Sequence, residues 1–592
     1  MKNFIYVLVI LLTTTLYSCE KFMEPFVELY DRDYEILENG NYFKGLLYNT
    51  FNSLPNRPNF FFEAATDNAV TNNDNTASSR AARGGISYIS NPLDDISQNG
   101  VNGQTNWLYN YYNINIANFI LERMVWDDTK NPPTPVTFEF TPEENRAWFY
   151  LLLGDAYFVR AWFQFDLLQK YGGVAADGVA YGYPIVTKYL TVNDELDLRR
   201  NTYQECVNQI VADCDEVIRL MPFNYTVAAT TIWNGGTQGF GHASGLAAMS
   251  LKARVLLYAA SPAFNTTNDV TRWGNAAQAA REIIDRLGFD DLMSLNNYFT
   301  NHVNSTGVNT ASTNVDLFFR GPVTMSTRNL ETENFPPRAS GSATYQPSQN
   351  LVDAFPMCDG YPINSASGDF PYDVNNMYEN RDPRLFTFIL YHGQSASEWG
   401  LESPNPDTYQ TMAGGRDAFG YDQNSTRTGY YLKKWLNGSV RNTGNVRTTN
   451  YTTIIFGRPE LYLNFAEAAI QATGNPDDKT YGYSAREALA KVRDRALGEG
   501  NDMYLPTITG KDAFINLVQN ERRIELCFEG HRFWDMRRWS TGKGDVTAIN
   551  ASVYGIYSSS PVETRSFRSP YMPLPYGELL KTNNLVNNDG WQ

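Results

Sequence analysis

The chain has 592 residues, 42% of them apolar and 19% charged, the composition of a folded protein with a large core. Its 64 acidic and 48 basic residues leave a formal net charge of −16, which repels phosphate backbones and argues against nucleic acid as a partner. Four histidines, no H-E-x-x-H and no C-x-x-C leave no transition-metal spacing. No cofactor is expected; the acidic loop 417–422 carries carboxylates of the kind that hold structural calcium, and an ordinary solvated turn carries the same residues.

At the amino terminus Lys2 precedes a short apolar run, Phe4 to Leu12. The run is far below the ~20 residues of a spanning helix, so residues 1–18 read as a signal peptide. Leu16-Tyr-Ser-Cys19 has the form of a lipobox, which makes Cys19 the lipidation site. Each buried CH₂ of an acyl chain contributes ~0.8 kcal/mol, so two or more chains anchor firmly where one does not. Surface-exported lipoproteins often carry two acidic residues after the cysteine; here Glu20 stands alone before Lys21. Cys206 and Cys214 lie eight residues apart in a helical pattern, about 12 Å along the axis and too far for a disulfide. With Cys358 and Cys527 they read as small buried hydrophobes.

Predicted helices follow in two clusters. Trp107 to Met124 is the first. Thr141-Pro142-Glu143-Glu144 is a capping box with Pro at the first helical position, opening a long helix that stops at Gly172-Gly173. Asn201 is the expected cap of a run to Leu220. Gly245 to Ala260, apolar on nearly all sides, is a helix packed between others, and Asn275 to Leu287 follows. From about Asn296 to Thr453, Asn, Thr, Gly, Pro and Asp crowd the sequence, with short runs such as Val315–Phe319 that predict strands or irregular loops. Helical pattern returns at Pro459–Thr473, Ser484–Leu497 and Asp512–Phe528. Trp107, Trp148 and Trp162 fall inside helical patterns and are expected in the core. The alternating ten-residue strands of a membrane barrel are missing.

The densest signal is residues 521–539. Arg522, Arg523, Arg532, Arg537 and Arg538 interleave with Glu521, Glu525, Glu529 and Asp535, among Phe528, Phe533, Trp534 and Trp539 and around Gly530. Read as helix, Arg522/Glu525, Glu529/Arg532 and Arg532/Asp535 are close enough to pair. Glu521, Glu525 and Glu529 share a face. That row fits a pair of catalytic carboxylates, as glycoside hydrolysis requires, or an Arg/Glu network that locks the helix to its neighbours. An arginine within a turn of each glutamate favours the network.

This segment resembles the C-terminal signature of the SusD/RagB family, outer-membrane lipoproteins that capture nutrients for a partner transporter. Further stretches agree in the family's order: Arg160-Ala-Trp-Phe-Gln-Phe-Asp-Leu-Leu-Gln-Lys-Tyr-Gly-Gly173, Leu251-Lys-Ala-Arg-Val-Leu-Leu-Tyr-Ala-Ala-Ser-Pro262 and Pro347-Ser-Gln-Asn-Leu-Val-Asp-Ala-Phe355. Arg381-Asp-Pro-Arg384, Glu460-Leu-Tyr-Leu-Asn-Phe-Ala-Glu-Ala468 and Asn587-Asn-Asp-Gly-Trp591 complete them. The resemblance implies a mainly α fold of tetratricopeptide-like helix pairs with long irregular loops and a few short strands. The tetratricopeptide consensus itself is not visible at its about 34-residue period. Residues 19–290 and 291–592 would form an N-terminal and a C-terminal region packed as one body. It implies a non-enzymatic, lipid-anchored protein of the outer membrane, exposed at the cell surface, that delivers its ligand to a TonB-dependent SusC-like barrel.

Two loop-rich stretches carry side chains suited to a sugar, which offers apolar C–H faces and hydroxyl edges. Asp67, Asn68, Arg80, Arg83 and Tyr88 lie in the first, between residues 67 and 104. Tyr298, Phe319 and Arg320 lie in the second, between 296 and 320, and Trp399 lies on a later loop. These nine are the expected ligand contacts, for an uncharged oligosaccharide. Oligopeptide capture, a surface glycoside hydrolase and a helical scaffold without a small ligand are the alternatives.

Overall fold

The computed structural model describes residues 37–591, apart from 95–104, 139–140, 195–196, 226–240, 299–313, 323, 328, 366, 396–407, 442–445 and 543–544. Cys19 and Trp399 therefore lie outside the described residues. Helix starts are fixed by short polar side chains that accept the otherwise unpaired first N–H groups. After α1 (Gly40–Phe51) come α2 (Asn106–Arg123), capped by Thr105, and α3 (Pro142–Tyr171), where Thr141 and Glu144 close the expected capping box. In α4 (Tyr203–Leu220) the cap is Thr202, not Asn201. Thr202 lies three residues before Glu205 and closes a second capping box with it, while Asn201 Oδ1 accepts the Ile185 N–H. α5 (Gly245–Ala260) matches its prediction, and α6 (Val270–Leu287) starts before the expected Asn275 because Asp269 caps it. α7 (Arg458–Thr473), α8 (Ala485–Leu497), α9 (Lys511–Glu525) and α10 (Arg532–Arg538) complete the main helices.

These helices stack in succession, α2 on α3, α3 on α4, α4 on α5 and α5 on α6. The stack then crosses the irregular middle of the chain, because α6 packs on α7, which carries α8 and α9. Trp107 and Trp162 are buried in this core, with Trp148 partly buried at its edge. Paired short strands pin the intervening loops. β1 (Ala69–Thr71) runs antiparallel to β3 (Tyr345–Pro347), and β2 (Leu317–Arg320) to β4 (Ile454–Gly457). Cys206, Cys214 and Cys527 are buried thiols; Cys358 is only half-buried. Among the described residues no helix is long and apolar enough to cross a membrane.

Two hydrophobic clusters meet at the 521–539 segment. Ile524, Cys527 and Phe528 belong to the cluster under the 330–451 region, and Phe533, Trp534 and Met536 to the helical one. The chain achieves this by breaking the helix after Glu525: Phe528 has φ +61° and Gly530 φ +84°. The local pairs expected from helical spacing give way to partners from other elements and from across the break. Arg522 instead meets Asp535 at 3.2 Å and Asn464 at 2.6 Å. Glu525 is taken by Arg384 at 3.0 Å and by Arg495, Glu521 by Arg384 and by Arg493 at 3.0 Å, and Glu529 by Lys434 at 2.8 Å. Arg538 bridges Glu467 at 2.5 Å and Asp535 at 2.8 Å.

Glu521, Glu525 and Asp535 are at most 2% exposed. Burial would raise the Glu525 pKa, but Arg495 and Arg384 bring it down to about 2. Carboxylates that are buried and neutralised from several directions cannot flank a substrate, so the row is a network and not a catalytic pair. Among the described residues, Arg537 is the one arginine of the motif that no carboxylate pairs. It lies 3.5 Å over Phe533 and 4.4 Å over Phe567, with its pKa pushed down to about 9 by burial.

Removing one partner of a buried pair strands the other and costs about 3–5 kcal/mol. Arg522→Ala is therefore expected to lower the melting temperature measurably, read by calorimetry. A loss of ligand affinity at unchanged melting temperature would place the motif in a binding site instead.

Candidate ligand-binding surface

The β1–β3 pairing fixes the start of the first loop against Gln346, and two arginines clamp the backbone around it. Arg565 donates to the carbonyls of Thr66 (2.7 Å) and Ala69 (2.5 Å). Arg427 reaches Asp74 at 2.8 Å and the Thr71 carbonyl at 3.1 Å, tying this loop to the 408–432 segment. Thr76 caps a short helix, Ala77–Arg80, that runs into a π turn ending at Gly85. On this frame Arg80 and Arg83 are exposed; Arg80 donates to the Asn75 carbonyl at 2.6 Å, and Arg83 to that of Asp74 at 2.5 Å. Tyr88 is 47% exposed and meets Tyr576 edge to face, ring centroids 5.8 Å apart.

Five of the other expected contacts are buried. Asp67 pairs with Arg523 at 2.9 Å and Arg532 at 3.0 Å. Burial would raise its pKa, yet the two guanidinium groups hold it well below the usual carboxylate range. Asn68 donates to Glu63 at 2.6 Å and accepts from Arg523 at 2.7 Å. Both residues complete the C-terminal network instead of facing solvent. Tyr298 is 3% exposed, with Arg495 5.6 Å over its ring, so the platform expected there is a core side chain. Phe319 packs edge-on against Phe158 at 4.9 Å. Arg320 is buried and donates to the Gly321 carbonyl at 3.1 Å, its pKa lowered by burial. Phe319 and Arg320 share a reason: 317–320 is a strand buried at all four positions, which leaves no free face.

Composition does not single out two further exposed rings. Phe419 and Tyr421, 69% and 72% exposed, project from the loop that Arg427 ties to Asp74. The Gly-rich stretch around Phe419-Gly-Tyr421 is the available signal, but its aspartates point toward calcium instead. Asp417 is in fact committed to Arg338 at 3.2 Å and to the Gln410 N–H at 2.8 Å. Among the described residues no cluster of three His, Cys, Asp or Glu is placed to hold a metal ion.

Known proteins resemble this chain in sequence and in fold. A family model described as "SusD family" matches residues 298–591, and one described as "Starch-binding associating with outer membrane" matches residues 39–257. The chain belongs to the SusD family. A curated SusD-like protein from Formosa agariphila is 23% identical over 67% of this chain and 68% of its own length, and a second from that organism is 30% identical over 26% and 28%. Among solved structures, a SusD-like protein from Bacteroides fragilis superposes with TM-score 0.71 at 23% identity, covering 94% of this chain and 98% of that one. A SusD-like carbohydrate binding protein from the same species gives 0.67 at 18% identity, covering 93% and 99%. At these identities the structural likeness establishes the SusD fold.

Glu63, which supports Asn68, is fully buried, and burial pushes its pKa up to about 7 despite the Asn68 hydrogen bond. A carboxyl whose pKa is raised in the folded state stabilises the fold below its unfolded value of about 4.3. That contribution is lost as pH rises through about 7. Glu63→Gln is expected to flatten the fall in melting temperature between mildly acidic and mildly alkaline buffer. An unchanged slope would show that Glu63 ionises normally in the fold.

Proposed function

We propose that this protein is a non-enzymatic, outer-membrane lipoprotein that captures an uncharged oligosaccharide on its loop surface and passes it to a TonB-dependent SusC-like barrel. The observation that supports the reading best is the exposed Tyr88, on the same loop as the exposed Arg80 and Arg83, which pairs edge to face with Tyr576 of the C-terminal segment. Rings take the apolar face of a sugar, and guanidinium groups donate to its hydroxyls. Phe419 and Tyr421 add two exposed rings on the segment that Arg427 ties to Asp74. The carbohydrate-binding description of a structural relative, and the outer-membrane association in the description matched by the N-terminal half, point the same way. The net charge of −16 disfavours polyanionic ligands.

Glycan and peptide screening of the chain lacking residues 1–19 tests the ligand class; binding of peptides and of no glycan would refute it. Tyr88→Ala should weaken the best oligosaccharide by about 2 kcal/mol, by analogy with interface hot spots, roughly thirtyfold. Calorimetry reads this, and the melting temperature should not move because the ring is half exposed.

Attachment and partner are tested together. The intact protein should fractionate with the outer membrane and co-purify with a barrel transporter in mild detergent, whereas Cys19→Ala should release it to the soluble periplasm. A Cys19→Ala protein that stays in the membrane would remove the lipid anchor from this account.

A further inference from the structure

A cavity of about 200 Å³ lies between the 52–62 loop, the first turns of α2 and the last turns of α3. None of Asp74, Arg80, Arg83, Tyr88, Phe419, Tyr421, Arg427 or Tyr576 lines it. Water occupies about 30 Å³ per molecule, so the space suits roughly six waters or one small ring, and not an extended chain.

Two polar groups of its lining keep hydrogen-bonding capacity that the described residues do not use. Asp166 accepts from Asn110 Nδ2 and from Lys170 Nζ, both at 2.6 Å and both through Oδ2. Oδ1 receives no donor from the described residues. Lys170 gives a second N–H to Asn106 Oδ1 at 3.0 Å. An ammonium has three donors, so one is left without an acceptor among the described residues. A carboxylate oxygen and an N–H on the same helical turn thus both remain unused. Elsewhere in the lining Arg57 pairs with Glu333, so the charges around the cavity cancel. Trp162, Phe163, Tyr109 and Phe61 supply aromatic wall.

The walls are also set in advance. Gly321 lets the backbone come so close to Pro55 that a Cβ would stand 1.8 Å from its carbonyl oxygen, and one at Gly530 would stand 2.8 Å from Asn59 Cβ.

We propose that this cavity is a binding site for one uncharged sugar ring, separate from the loop surface. One hydroxyl donates to Asp166 Oδ1, a neighbouring hydroxyl accepts from Lys170, and a C–H face lies on the aromatic wall. Water would satisfy the polar atoms but leave the rings wet. An anion would meet Asp166 and a cation would meet Lys170, so a neutral polyol fits where either ion is opposed. The inference rests on the carbohydrate reading only for the choice of probe.

The test is calorimetry of the mature chain against methyl glycosides of glucose, galactose, mannose and xylose, with glucuronate and glucosamine as charged counterparts. At least one neutral glycoside should bind in the millimolar range. Asp166→Ala should weaken it tenfold or more, as should Ser53→Trp, which fills the space and removes no charge. Tyr88→Ala should leave this binding intact. If Asp166→Ala does not fold, Ser53→Trp decides. No glycoside binding, binding indifferent to the folded cavity variants, preference for a charged sugar, or loss of binding in Tyr88→Ala each overturns the proposal. Oligosaccharide binding without any monosaccharide binding removes this site and leaves the loop surface standing; the converse removes the loop surface and leaves this site.

Discussion

Everything in this molecule depends on charges that have no access to water. Arg384, Glu521, Glu525, Arg493, Arg522 and Arg538 are at most 1% exposed, and stripping the partner from an ion in that setting costs about 3–5 kcal/mol. The matching groups come from different parts of the chain. Arg493 and Arg495 come from α8, Glu467 from α7, Asp67 from the first loop and Lys434 from the irregular middle. A lattice like this gains little when complete and loses much when one member is absent, so it selects a single arrangement of helices and loops. It also sits at the seam of the two hydrophobic clusters, where apolar packing alone would tolerate sliding.

That seam explains how a helical stack comes to present loops. The loop after residue 71 is not a free excursion; Arg427 holds Asp74 and the Thr71 carbonyl, Arg565 holds the Thr66 and Ala69 carbonyls just before it, and Arg523 and Arg532 hold Asp67. Exposed side chains such as Tyr88 therefore project from a fixed base. Binding on such a surface forfeits less ordering entropy than binding on a mobile loop, which suits a ligand as hydrated as a sugar.

Much of the helical architecture is legible in the sequence, because its signals are local. Thr141 and Glu144 announce their own capping box, and α5 shows its burial through an unbroken apolar run. The lattice is legible in kind but not in wiring. Interleaved Arg and Glu suggest ion pairs, yet the partners are up to hundreds of residues away, and only the turn through Phe528 and Gly530 decides which side chain faces which. The candidate ligand surface is the least legible part. Arg80, Arg83 and Tyr88 read the same in a loop as Asp67 and Asn68, and nothing local tells that the latter pair is needed by Arg523 and Arg532. Phe319 and Arg320 read as loop contacts because a four-residue buried strand carries too few positions to show a period.

Arg200 carries a further implication, one of timing. It donates to the carbonyls of Tyr171 and Gly182 at 2.8 Å and also to Val586 O and Asn588 Oδ1 at 2.9 Å, while Asn588 returns a bond to Tyr171 O at 2.9 Å. The span between Arg200 and Val586 is 386 positions. Residues 586–591 are synthesised after every group they bind, so α3 and α4 wait for their last neighbours through most of translation. Contacts of such separation form late and slowly. The buried Trp591, whose indole donates to the Tyr571 carbonyl at 2.8 Å, belongs to the same long-range set.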